Sequence, residues 1–81
     1  MQVRTLFFAS YRETVGTAAL ELELPEGATV GDLVSDLRGR GAPFDRLPRV
    51  PAVALNRTLV RGDAELAHGD EVAFLPSVAG G

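Results

Sequence analysis

The spacing of the apolar residues changes period once in this chain, and that change limits the fold more than any other feature. Ala19-Leu20-Glu21-Leu22-Glu23-Leu24 alternates strictly, so Leu20, Leu22 and Leu24 fall on one face of a strand and both glutamates on the other. Pro25-Glu26-Gly27 then interrupts the chain. Beyond it, Val30, Leu33, Val34 and Leu37 recur at i, i+3, i+4 and i+7, the single stripe of an amphipathic helix, while Asp32, Ser35, Asp36 and Arg38 point away. Thr29 with Asp32 three positions on has the form of a capping box, with aspartate in place of the usual glutamate. Gly39 and Gly41 supply the stop. A one-sided strand followed by a one-sided helix predicts a helix laid across one face of a sheet.

The flanking segments supply further strands. Val3 to Phe8 is β-branched and aromatic, and if Arg4 faces water, Leu6 and Phe8 share its side while Val3, Thr5 and Phe7 lie opposite. The connection Ser10 to Thr17 is too long for a two-residue turn and suits a wide loop or one helical turn, so the first two strands read as an antiparallel hairpin. Arg40 to Pro51, with Pro43, Pro48 and Pro51, reads as an extended connection pinned by Phe44 and Leu47. Pro51 to Asn56 is a short, mostly apolar strand, Asn56-Arg57 a turn, and Thr58-Leu59-Val60 the candidate for a brief return strand. Glu71 to Leu75 closes the pattern, with Val72 and Phe74 on one face, Ala73 and Leu75 on the other, and Pro76 behind it. The order predicts an α+β fold in the β-grasp arrangement: a mixed sheet of four to five strands with one main helix on one face. A chain of 81 residues has one core and cannot readily cover the second face, where Phe8, Ala73, Leu75 and Leu59 are expected. We therefore expect a domain over residues 1–76 and a flexible C-terminal tail over 77–81.

Composition narrows the chemistry. With no cysteine, a disulfide frame, a thiolate zinc site and a cysteine nucleophile are excluded. Eight arginines against eleven carboxylates leave a formal charge of −3, which makes nucleic acid an unsuitable partner. No apolar run approaches the roughly 20 residues of a membrane span, and Met1 leads directly into a strand pattern, so a cytoplasmic location without membrane contact is expected. The lone His68 sits in a turn and reads as a solvated loop residue, and no carboxylate cluster has the company a metal site needs. Gly-x-x-x-x-Gly-Lys and Gly-x-Gly-x-x-Gly segments are both absent, so no nucleotide cofactor is expected on this chain. Ser10, Ser35 and Ser77 lack a histidine neighbour or a nucleophile elbow.

What remains is the end, Ser77-Val78-Ala79-Gly80-Gly81. It reads either as a frayed terminus or as a narrow arm. Gly80 and Gly81 carry no Cβ and can pass a channel the width of a backbone. Five residues at about 3.3 to 3.6 Å each reach roughly 16 to 18 Å, enough to place the terminal carboxylate inside another protein. A carboxylate is a poor electrophile until adenylated by ATP, after which sulfide or a persulfide can attack the unhindered Gly81 carbon. Lacking a nucleotide site, the chain would need a partner to activate it.

Taken in order, Leu6-Phe7-Phe8-Ala9 with Arg12-Glu13 and Gly16, Thr29-Val30 with Leu33, Asn56 before Leu59-Val60, and Gly69-Asp70-Glu71-Val72-Ala73-Phe74-Leu75-Pro76 leading to Gly80-Gly81 resemble a known set. The chain is similar over essentially its whole length to the ubiquitin-like β-grasp sulfur carriers, the family of molybdopterin synthase small subunits. Ser77 departs from it, standing where a second proline is common, and so does Leu75, where an aromatic residue is common. The resemblance implies that Gly81 is adenylated by an enzyme similar to ubiquitin-activating enzymes, using Mg and ATP, and becomes a thiocarboxylate. It implies that Val78, Ala79 and Gly80 thread into a large catalytic subunit, where Gly81 donates sulfur to a cyclic pyranopterin precursor in molybdenum cofactor biosynthesis. The chain would then be a non-catalytic donor subunit of a heterotetramer. Phe8, Leu59 and Leu75 match the family's docking patch, and Arg12 is a candidate to meet a partner carboxylate, although an exposed arginine is by default only solvated. The alternatives are a carrier for thiamine, cysteine or tRNA thiolation, a ubiquitin-like protein modifier, or a plain interaction module.

Overall fold

The computed structural model describes residues 1–76. The readings placed on Ser77, Val78, Ala79, Gly80 and Gly81 lie outside the described residues. Five strands form one mixed sheet: β1 (Gln2–Phe7), β2 (Ala19–Glu23), β3 (Ala52–Leu55), β4 (Thr58–Val60) and β5 (Glu71–Leu75), in the order β2-β1-β5-β3-β4. The central pair β1 and β5 is parallel; β1 with β2, β3 with β4 and β3 with β5 are antiparallel. Helix α2 (Val30–Arg38) crosses one face.

The alternation assigned to β1, β2 and β5 holds. Val3, Thr5, Phe7, Leu22, Val72 and Phe74 are fully or almost fully buried beneath α2, whose stripe Val30, Leu33, Val34 and Leu37 completes the core. Phe7 lies 5.3 Å from Phe74 and 6.4 Å from Phe44 between ring centroids, both tilted, within the range of favourable aromatic pairs. The capping box forms as expected: the Asp32 amide donates to Thr29 Oγ1 at 3.2 Å, and the Thr29 amide donates to Asp32 Oδ2 at 2.9 Å.

Two connections and one strand end differ from the sequence reading. The connection after β1, read as a wide loop or one helical turn, is a seven-residue helix, α1 (Ala9–Val15), closed by Gly16 at φ 81° with its amide on the Arg12 carbonyl. Only Tyr11 and Val15 of α1 join the core, so the apolar stripe is too thin to announce a helix; packing supplies the missing stability. Phe8 is accordingly not the last strand residue but the N-cap of α1, in extended conformation. Within the proline-rich connection Phe44–Arg46 form a 3₁₀ turn, which seats Leu47 in the core, while the Arg38 side chain donates from Nε to the Leu47 carbonyl at 2.8 Å.

Candidate functional site

The face of the sheet away from α2 is uncovered among the described residues, and beyond the edge pair Gln2–Glu23 its side chains fall into three cross-strand rows set by the register. One row is polar: Glu21 opposite Arg4, Arg4 opposite Glu71, and Asn56 next to Glu71. The next row is apolar throughout, Ala19, Leu6, Ala73, Ala54 and Leu59, spanning four inter-strand gaps or about 19 Å. The third pairs Leu75 with Ala52. Phe8 follows at the N-cap of α1, one residue past the last parallel pair, Phe7 opposite Phe74.

Chemistry follows from that order. Ala54 and Ala73, both buried between larger neighbours, form the floor of this row, and Leu6 and Leu59 flank it. Leu59 is 70 % exposed and Phe8 46 %, unusual for large apolar side chains. Leu75 is half-buried. Leu59 on β4 and Leu75 on β5 thus lie on the open face two strands apart, with Phe8 exposed at the N-cap of α1, and full burial of each such side chain is worth about 1.5–3 kcal/mol. Arg12 is exposed on α1, one turn beyond Phe8, and makes no ion pair among the described residues. The sequence reading missed Ala54 as the centre of the floor and Arg4 with Glu71 as the polar boundary. Only the parallel pairing of the first and last strands, 67 positions apart in the Arg4–Glu71 register, brings these together.

The turn before β5 is held by side chains from two distant places. The Gln2 amide donates to His68 Nδ1 at 3.0 Å, and the Gly69 amide donates to the Gln2 carbonyl at 2.7 Å. His68 is exposed yet serves as an acceptor for β1, a role its local sequence could not signal. Asn56, at φ 49°, donates from Nδ2 to Asp70 Oδ1 and accepts the Glu71 amide on Oδ1, both at 3.0 Å. Asp70 Oδ2 in turn accepts the Ala67 amide at 2.8 Å. These bonds fix where β5 starts and so where it delivers Leu75 and Pro76. Among the described residues no three His, Asp or Glu side chains gather as a metal would require, and no helix is long and apolar enough to cross a membrane.

The ThiS family matches residues 5–81. The molybdopterin synthase sulfur carrier subunit of Chlamydomonas reinhardtii is 37 % identical over 83 residues, covering 100 % of both chains. That of Escherichia coli is 40 % identical over 81 residues, covering 98 % of this chain and 99 % of its own. Small archaeal modifier protein 3 of Haloferax volcanii is 34 % identical over 95 residues, covering 100 % of both. Among solved structures, SAMP1 of Haloferax volcanii superposes with a TM-score of 0.85 at 26 % identity, covering 100 % of each chain. With the β-grasp order, the uncovered apolar face and these matches in place, the chain belongs to the ThiS family of ubiquitin-like proteins.

Proposed function

We propose that this chain is the sulfur-donor subunit of a molybdopterin synthase and that Gly81 carries the sulfur. The observation that supports this reading is the placement of the apolar rows: they occupy the end of the open face at which β5 leaves the sheet through Pro76, while the charged row lies at the other end. A partner seated on Phe8, Leu59 and Leu75 therefore lies beside Pro76, five residues before the chain ends. In this reading residues 1–76 are the docking body and 77–81 the arm, with Val78, Ala79 and Gly80 passing through the partner. The names of two relatives point the same way.

The chemistry divides between partners. An adenylating enzyme holds Mg and ATP, the Gly81 carboxylate attacks the α-phosphate, and pyrophosphate leaves. Sulfide, or a persulfide followed by reduction with a thiol, then attacks the Gly81 carbonyl carbon and displaces AMP, giving a thiocarboxylate. In the large subunit that sulfur is transferred to a cyclic pyranopterin precursor, and water restores the carboxylate. This chain itself holds no cofactor and acts as a donor in the cytoplasm, in a heterotetramer with two large subunits.

Incubating the full chain with its adenylating enzyme, Mg, ATP and sulfide tests the reading. Intact-mass spectrometry is expected to show one oxygen replaced by sulfur at the C-terminal residue; a terminus left unmodified where a known relative is charged would overturn it. A second reading, a protein modifier, is favoured by the similarity to a small archaeal modifier protein. The chain has no lysine, so it cannot build lysine-linked chains of itself. Covalent conjugates on an immunoblot of cells expressing the tagged chain would support that role. Formation of molybdopterin with the large subunit separates the first reading from carriers for thiamine, cysteine or tRNA thiolation.

A further inference from the structure

The charges of this chain are segregated along the sequence and in the fold. Residues 38 to 61 carry six of the eight arginines and a single carboxylate, Asp45, for a net +5, while everything else amounts to −8. That basic stretch runs from the end of α2 through the connection to the β3–β4 hairpin, the sheet edge opposite the acidic β2 edge. Of its arginines Arg40 pairs with Asp36, whereas Arg46, Arg49, Arg57 and Arg61 form no ion pair among the described residues.

At the same edge, on the helix side of the sheet, lies an apolar groove. Val30 and Val34 of α2 face Val53 and Val60 across it, and Val50 and Pro51 form its outer wall, around a cavity of about 130 Å³. Space of roughly 150 Å³ with such walls accepts a benzene ring, so the groove suits one aliphatic side chain. Val50 is 90 % exposed, the most exposed large apolar side chain described. Arg49 borders this groove and also a more polar depression beside it, lined by Ser35 and Arg38. An apolar slot with Arg49 at its mouth is complementary to a branched aliphatic side chain next to a carboxylate. A polyanion such as nucleic acid is disfavoured by the −8 carried elsewhere on so small a body.

We infer that the groove between α2 and the β3–β4 hairpin is a second docking surface, which takes an extended acidic segment of a protein partner with an aliphatic anchor beside Val50 and its carboxylates on Arg49. The groove lies on the opposite face of the sheet from Leu59 and Leu75, so both surfaces can be occupied together. The inference does not depend on the role given to Gly81.

The test uses the full chain labelled with ¹⁵N and the peptide Glu-Asp-Ile-Val-Ile-Asp-Glu, acetylated and amidated, as the probe. Expected are amide shifts confined to residues 30–34, 49–53 and 60–62, and binding that weakens as salt shortens the Debye length. Val50→Glu and Arg49→Glu, both at exposed positions, should each lower affinity at least tenfold with the spectrum otherwise unchanged. The same peptide with lysines replacing its four acidic residues should not bind. The inference is overturned by absence of shifts at millimolar peptide, by shifts that map to Leu6, Ala73 and Leu59, by equal binding of the lysine peptide, or by insensitivity to both substitutions. Shifts that depend on protein concentration without peptide would assign the groove to a second copy and overturn it as well.

Discussion

Thr5 is wholly buried, between Leu20 and Val72 in the register, and its hydroxyl has no hydrogen-bond partner among the described residues. A buried hydroxyl left unpaired costs about 1–3 kcal/mol, and valine has nearly the same shape. Thr5→Val is therefore expected to stabilise the fold by about 1 kcal/mol, seen by calorimetry as a rise of roughly 4–8 °C in the unfolding midpoint. An unchanged or lower midpoint would mean the hydroxyl is satisfied. On the other face the direction reverses. Phe8→Ala and Leu59→Ala remove exposed side chains, so each should leave the midpoint nearly unmoved and weaken large-subunit binding by about 1–3 kcal/mol in titration calorimetry. Leu75 is half-buried, and Leu75→Ala should lower both quantities. Which way Val3, Thr5 and Phe7 point was legible from alternation alone, because Arg4 sets the phase. The contact of His68 with Gln2 was not, since 66 residues separate them and nothing near either predicts the meeting.

At the scale of elements, local chemistry decided most outcomes. Thr29 and Asp32 close both bonds of the capping box, so Thr29→Ala should cost about 1 kcal/mol in chemical denaturation, mostly by loosening the first turn of α2. Asn56 combines a left-handed backbone with two side-chain bonds to the start of β5. Asn56→Ala loses all three and should cost about 1–2 kcal/mol, while Asn56→Gly keeps the backbone preference and should cost less. Equal losses for the two variants would show that the turn conformation contributes nothing. The β3–β4 hairpin and α2 were legible because turn residues and apolar period agree with each other. Helix α1 was not: with only Tyr11 and Val15 turned inward its seven residues carry no stripe, and contacts with β1, β5 and the 3₁₀ turn hold it.

The whole molecule is a lopsided object: one sheet face is sealed by α2, and the other is left apolar at the end where the chain departs. That asymmetry follows from size, since α2, the inward side chains of α1 and the connection carrying Phe44 and Leu47 all pack into the core on one face of a five-stranded sheet, and among the described residues none is left for the second. The sequence made the open face legible through Ala73, Leu75 and Leu59, but the straight row from Ala19 to Leu59 needed the strand order. The account's central claim is that this body aims the terminal carboxylate of Gly81 into a partner. It is tested most directly by measuring molybdopterin formation from purified large subunit, pterin precursor and the sulfur-charging system, with the natural chain and with a chain bearing one added alanine after Gly81. The account predicts full product with the first and none with the second, although the extended chain still folds and still binds the large subunit. Undiminished product from the extended chain would contradict it.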